Sequence, residues 1–218
     1  ILLLGLLAVT GMFAALSLQY RTYVTQSRAM EAVAPNVRTV GAFSQAVHTL
    51  QIERGLTASG FYRVNNQTSG DLFRDTDTVL SALPGVGVGI SGLGETLAQV
   101  RTGAAVGMLT PLAVLDRYSG LLQTIIDEMG RLAREFENAF TRTDIYAHTH
   151  LVAAKEYLGQ TRATLGYWID NASDDPQVLN RLIRLKSLHD EELRKFELEA
   201  SPELQKIFAA EFSGENVR

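Results

Sequence analysis

Cysteine is missing from all 218 residues, so neither a disulfide framework nor a thiolate metal site can exist. Positive charge is not in excess either: 20 Lys and Arg stand against 24 Asp and Glu, a net charge of -4, and no basic run occurs. A nucleic-acid partner is thereby excluded, and any anion site has to be built locally rather than inherited from the field of the molecule. No stretch alternates apolar and polar residues at strand period, and no unit of 20 to 50 residues repeats, which excludes a sheet and a solenoid. Serine and threonine are plentiful, but no nucleophile elbow is present and no histidine is placed beside one, so an enzyme is not expected. Prolines number only 5, and Pro35, Pro111, Pro176 and Pro202 stand where a helix can begin.

What the chain does contain is helix, in long amphipathic runs, and 46% hydrophobic residues are ample for a core. Ile1 to Leu18 carry no charge and, at about 1.5 Å per residue, would reach about 27 Å, close to the hydrocarbon thickness of a bilayer. Residues 1–19 therefore read as a transmembrane helix in preference to a signal peptide, whose h-region is ordinarily shorter. Residues 20–39 read as a connecting helix, 40–213 as a helical domain, and 214–218 as the start of a link to a further part of the protein. Within the domain, 65–70 read as a loop, 71–82 as a second helix, and 95–108 as a third. Pro111 opens a long helix, Thr143 or Asp144 caps the next, and two more begin at Pro176 and Pro202. The fold class is all-α, an up-down antiparallel helical bundle preceded by a transmembrane helix.

One seam organises this domain. Val40, Phe43, Val47, Leu50, Thr57 and Phe61 follow a three-four alternation, and the position that completes it is Arg54. Leu151, Leu158, Leu165 and Ile169 form a second such stripe, completed by Lys155 and Arg162. A guanidinium aimed at an interior needs an anion, because burying an unpaired charge costs several kcal/mol. Glu53 and Glu156 directly adjoin these cations and point about 100° away around their own helices, which favours an exogenous small anion over a protein carboxylate. A third seam, Leu115, Tyr118, Leu122, Ile125, Met129, Leu132, Phe136 and Ala139, carries the Tyr118 hydroxyl, which could reach a bound oxyanion or simply pack.

The segments Leu50-Gln51-Ile52-Glu53-Arg54-Gly55-Leu56-Thr57-Ala58 and Lys155-Glu156-Tyr157-Leu158-Gly159-Gln160-Thr161-Arg162-Ala163 resemble the two signature helices of the NIT family, the nitrate- and nitrite-sensing domain of bacterial transmembrane receptors. Phe73-Arg74-Asp75-Thr76-Asp77 and Tyr118-Ser119-Gly120-Leu121-Leu122 are similar to its intermediate blocks, in the same order. The resemblance spans residues 40 to 172. It implies a non-enzymatic sensor outside the cytoplasmic membrane of a bacterium, needing no cofactor, acting as a homodimer, and binding nitrate or nitrite. It also implies an output module elsewhere in the protein, a kinase, a cyclase or a chemotaxis transducer. The site residues expected are Arg54 and Arg162, with Lys155 setting the local potential and Tyr118 beside them; Arg74 and Arg101 are further candidates, equally readable as surface residues. Competing expectations are a sensor for another small anion such as a carboxylate, and a ligand-free dimerisation bundle in which the arginines pair with protein carboxylates.

Other motifs carry less. Gly87, Gly89 and Gly92 match G-x-G-x-x-G, but no strand precedes them, so the glycine-rich run reads as an inter-helix loop. His148 and His150 lie about 200° apart around one helix, cannot share a metal, and read as surface residues. His189-Asp190-Glu191-Glu192 reads as a solvated helix face.

Overall fold

The structure, a computed structural model, describes residues 31, 34–35, 37–59, 66–83, 92–136, 139–171 and 174–212. The chain divides into two units, Ile1–Arg38 and Thr39–Arg218. The expected membrane span 1–19, nearly all of the connecting helix 20–39, the glycine-rich motif up to Ser91, Phe61 and the link 214–218 lie outside the described residues. Among the described residues no helix is long and apolar enough to cross a membrane.

The second unit is all-helical, with no strand among the described residues. Its elements are α1 (39–58), α2 (Asn66–Ser81), α3 (Leu93–Ala105), α4 (Pro111–Ala133), α5 (Ala139–Asp170), α6 (Pro176–Glu199) and α7 (Pro202–Phe212). Local chemistry sets several of these ends. Gly92, at φ 93, occupies the left-handed region just before α3. A short turn with Gly107 at φ 73 then reverses the chain, and Leu109 packs so closely on α3 that a Cβ at Gly103 would lie 3.1 Å from it. Thr110 caps α4 by accepting from the Ala113 amide at 3.2 Å, with Pro111 in the first turn. Asp175 and Pro176 repeat the arrangement at α6, where the aspartate accepts from the Gln177 amide at 2.8 Å.

Two expected starts are displaced. Helix α2 begins at Asn66 instead of residue 71, since polar residues such as Gln67 and Thr68 cost a helix only a few tenths of a kcal/mol each. Helix α5 begins at Ala139, and Asp144, expected as its cap, instead accepts from the Ser201 amide at 3.1 Å, tying α5 to the start of α7.

The seams of α1 and α4 are as expected: Val40, Phe43, Val47, Leu50, Arg54 and Thr57 are all buried, as are Leu115 through Phe136 of the α4 seam. The stripe proposed on α5 faces the wrong way. Lys155, Leu158, Arg162, Leu165 and Ile169 are exposed, whereas Ile145, Thr149, Val152, Ala153, Glu156, Gln160 and Thr164 are buried. Helix α5 thus turns small and polar residues inward and leaves leucines at an edge, an arrangement that is tolerable only because its buried glutamate has cationic and amide partners.

Contacts fix the helix directions. Ser44 meets His148 at 2.9 Å and Gln51 meets Glu156 at 2.9 Å, so α1 and α5 run parallel. His150 meets Glu192 at 2.6 Å and His189 meets the Ala154 carbonyl at 2.9 Å, so α6 runs antiparallel to α5. A second, smaller core joins α5, α6 and α7 through Ala147, Phe196 and Phe208, whose two rings lie 4.8 Å apart.

His148 and His150 are therefore not surface residues. Burial holds the His148 imidazole below its usual range. Its neutral form is favoured in the fold, so this contribution to stability is complete above the unfolded value of about 6.5 and is lost as pH falls through the folded value. Denaturant unfolding measured between pH 7.5 and 5 should show stability declining below about pH 6.5, with a shallower decline in His148→Gln.

Candidate anion-binding site

The site is assembled around two consecutive residues of α1 that reach opposite neighbours. Arg54 is 2% exposed; its Nη1 donates to Ser119 Oγ of α4 at 3.1 Å and forms an ion pair with Glu156 of α5. Glu156 is in turn held by amide donors, Gln51 Nε2 at 2.9 Å and Gln160 Nε2 at 3.0 Å. Glu53, fully buried, faces the other way. It accepts a fork from Arg101 of α3, Nε at 2.8 Å and Nη2 at 2.9 Å, together with the Tyr118 hydroxyl at 2.5 Å. Arg101 also donates to Asp77 at 2.8 Å and to the Phe73 carbonyl at 3.2 Å, and its guanidinium lies 4.5 Å above the Phe73 ring.

These contacts set the ionisation of the groups. Burial alone would lower Arg101, but its bonds to Glu53 and Asp77 more than offset that and hold it above its usual range. Burial, reinforced by the Glu53 carboxylate, pushes the Tyr118 phenol far up, so it remains a donor at any physiological pH.

Beside Arg54 a cleft of about 650 Å³ opens between the end of α1, the start of α4 and the second half of α5. Arg54, Lys155, Gly159, Arg162, Tyr167 and Asp170 are among the residues that line it. Arg162 makes no ion pair among the described residues, and Lys155 meets only the His48 ring, at 3.4 Å. Gly159 lets the two helices meet here, because a Cβ at that position would lie 2.8 Å from Nη2 of Arg54 and the end of the arginine would have to shift. The guanidinium reaches the cleft across a backbone that carries no side chain.

Three of the expected site residues, Arg54, Arg162 and Lys155, are thus brought together. Tyr118 and Arg101 are not with them; both bind Glu53, between α1, α3 and α4. Arg74 is exposed and pairs with Asp71 on its own helix. The inference that Glu53 and Glu156 point away from the cations holds within each helix and fails between helices, since each carboxylate meets an arginine from another element. Sequence reasoning passed over Ser119, Gln51, Gln160 and Gly159. The spacing Thr149, Ala153, Glu156, Gln160, Thr164 was the available signal, a stripe of small and polar residues at helical spacing, one or two positions from the leucines.

Gly159→Ala should shift the end of Arg54, so that in thermal or denaturant unfolding it gains little or none of the roughly 0.5 to 1 kcal/mol that alanine brings at an unobstructed helical glycine. Gly120→Ala, on the open face of α4 with nothing near its Cβ, should instead raise stability by roughly 0.5 to 1 kcal/mol.

Comparison with curated proteins gives no match, and neither does comparison with solved structures. The family model described as nitrate and nitrite sensing matches residues 45–218, taking in α1 from Gln45 onward and every later helix. That stretch includes both signature segments and the cleft between them, and the chain belongs to the NIT family of nitrate- and nitrite-sensing domains.

Proposed function

We propose that the cleft binds nitrate or nitrite, clamped between Arg54 of α1 and Arg162 of α5. The observation that carries this reading is the presence of these two guanidinium groups, from different helices, in the lining of a single cleft. Nitrate is planar and singly charged, and its oxygens suit the fork of a guanidinium. Arg54 is half-committed: Nη1 serves Glu156 and Ser119, while Nη2 has no bonded partner among the described residues. Arg162 is exposed and free to close on an anion, and Lys155 adds a point charge.

In this reading the domain is the exterior part of a bacterial receptor in the cytoplasmic membrane, anchored through the apolar run of residues 1–18. It works as a homodimer, with the exposed Leu158, Leu165 and Ile169 beside Arg162 offering an apolar edge for a second copy. An anion that draws Arg162 toward Arg54 changes the contact between α5 and α1, the helix whose chain leads back to the apolar run. Such coupling is typically worth about 1 to 3 kcal/mol.

The Arg54–Glu156 pair favours a second reading, in which Arg54 is only a structural pin and the protein is a ligand-free bundle. Calorimetry with nitrate, nitrite and chloride separates the two. Saturable binding of nitrate or nitrite but not chloride is expected, with affinity falling roughly tenfold or more in Arg162→Ala, in line with the loss of a charge-assisted bond. The melting temperature of the unliganded variant should not change, because Arg162 is exposed. No saturable binding of any of the three anions would leave only the structural reading, and an affinity unaffected by Arg162→Ala would overturn the clamp.

A further inference from the structure

The buried carboxylate of Glu156, 1% exposed, has more donors than an ion pair requires. Its Oε1 accepts from Arg54 Nη1 and from Gln160 Nε2, the latter at 3.0 Å, and its Oε2 accepts from Gln51 Nε2 at 2.9 Å. Two neutral amides, one on α1 and one on α5, thus share with a single guanidinium the task of satisfying this charge. The carboxylate keeps both amides when the arginine turns elsewhere.

Arg54 stands between two places for an anion. One is occupied by Glu156; the other is the cleft of about 650 Å³, which Arg54 lines and Glu156 does not. Gln51 belongs to both, since it lines the cleft and donates to Glu156. A guanidinium carries one positive charge, and where a carboxylate already neutralises it, an incoming anion meets little net attraction there. With Arg54 so neutralised, the charged residues left in the lining are Lys155 and Arg162 against Asp170.

Building on the nitrate reading of this cleft, we propose that Glu156 is the site's internal counter-anion. Nitrate or nitrite competes with it for the charge of Arg54, and the strength of the Arg54–Glu156 pair sets the concentration at which the ligand is held. Binding slackens the ion pair between α1 and α5, while the Gln51–Glu156 bond keeps the two helices in register. A competing carboxylate and a merely structural one differ in the sign of their effects. A carboxylate that only positioned Arg54 would support binding, and any change that disturbed it would weaken nitrate. A competitor opposes binding in proportion to the charge it presents to Arg54. Removing that charge strengthens nitrate binding, whereas removing an amide that shares it leaves the carboxylate leaning harder on Arg54 and weakens nitrate binding.

Nitrate is titrated by calorimetry into the wild type, Glu156→Gln and Gln160→Met, with thermal melting followed in parallel. Glu156→Gln keeps an acceptor for Arg54 and Gln160, and Gln51 meets the new amide by reversing its own. This variant should bind nitrate roughly tenfold more tightly than the wild type. It should also gain more melting temperature from saturating nitrate, from a lower starting point, because the ligand replaces the charge that Arg54 has lost. Gln160→Met, similar in size and without the amide, should bind nitrate about threefold more weakly. Weaker or unchanged affinity in Glu156→Gln, or stronger or unchanged affinity in Gln160→Met, would overturn the competition. Should Glu156→Gln fail to fold, the direction of the change in Gln160→Met decides alone. Saturable binding to the wild type without these opposed shifts sinks the counter-anion and leaves the nitrate reading standing, whereas no saturable binding to the wild type or either variant sinks both.

Discussion

The bundle depends on a pair of oppositely charged neighbours in α1 that are satisfied on opposite sides of the helix. Glu53 is claimed by Arg101 and Tyr118, and Arg54 by Glu156 and Ser119. Consecutive residues diverge by about 100° around a helix, so these two sets of partners specify its rotation, and their identities specify its register against α3, α4 and α5. An apolar seam of valine, leucine and phenylalanine would bury as much surface and fix position less strictly, since apolar contact is not directional. Removing one member of either buried pair strands the other, at a cost of about 3 to 5 kcal/mol.

The two pins are not equivalent. Arg101 has all three of its nitrogens bonded, to Glu53, Asp77 and the Phe73 carbonyl, and the Phe73 ring lies against its face. Arg54 has one nitrogen committed and stands at the wall of a cleft that two further cations share. A rigid anchor thus adjoins an arginine with spare hydrogen-bonding capacity, which suits a sensor whose ligand is a small anion. The net charge of -4 makes the same point from outside: the overall field repels anions, and capture rests on local arginines.

Most of the architecture was legible in the sequence because α1 and α4 bury apolar residues at an unbroken three-four spacing, and because Pro111, Pro176 and Pro202 mark real helix starts. Helix α5 was misread for a physical reason. Its inward face is Thr149, Ala153, Glu156, Gln160 and Thr164, so the hydrophobic pattern points to the leucines at its exposed edge. The position of Arg54 in a buried seam was recoverable, but the identity of its partner was not, because pairing across helices depends on a register that only the packed bundle defines. The same holds for Gly159, whose role is visible only with the guanidinium beside it.

The most direct test of this account is to follow the guanidinium nitrogen resonances of Arg54 and Arg101 by NMR while nitrate is added. Saturable movement of the Arg54 signals with those of Arg101 unchanged is the predicted result, since one arginine has a free edge at the cleft and the other has none. Movement of Arg101 instead, or nitrate binding with Arg54 silent, would contradict the assignment of these two neighbouring pins to different tasks.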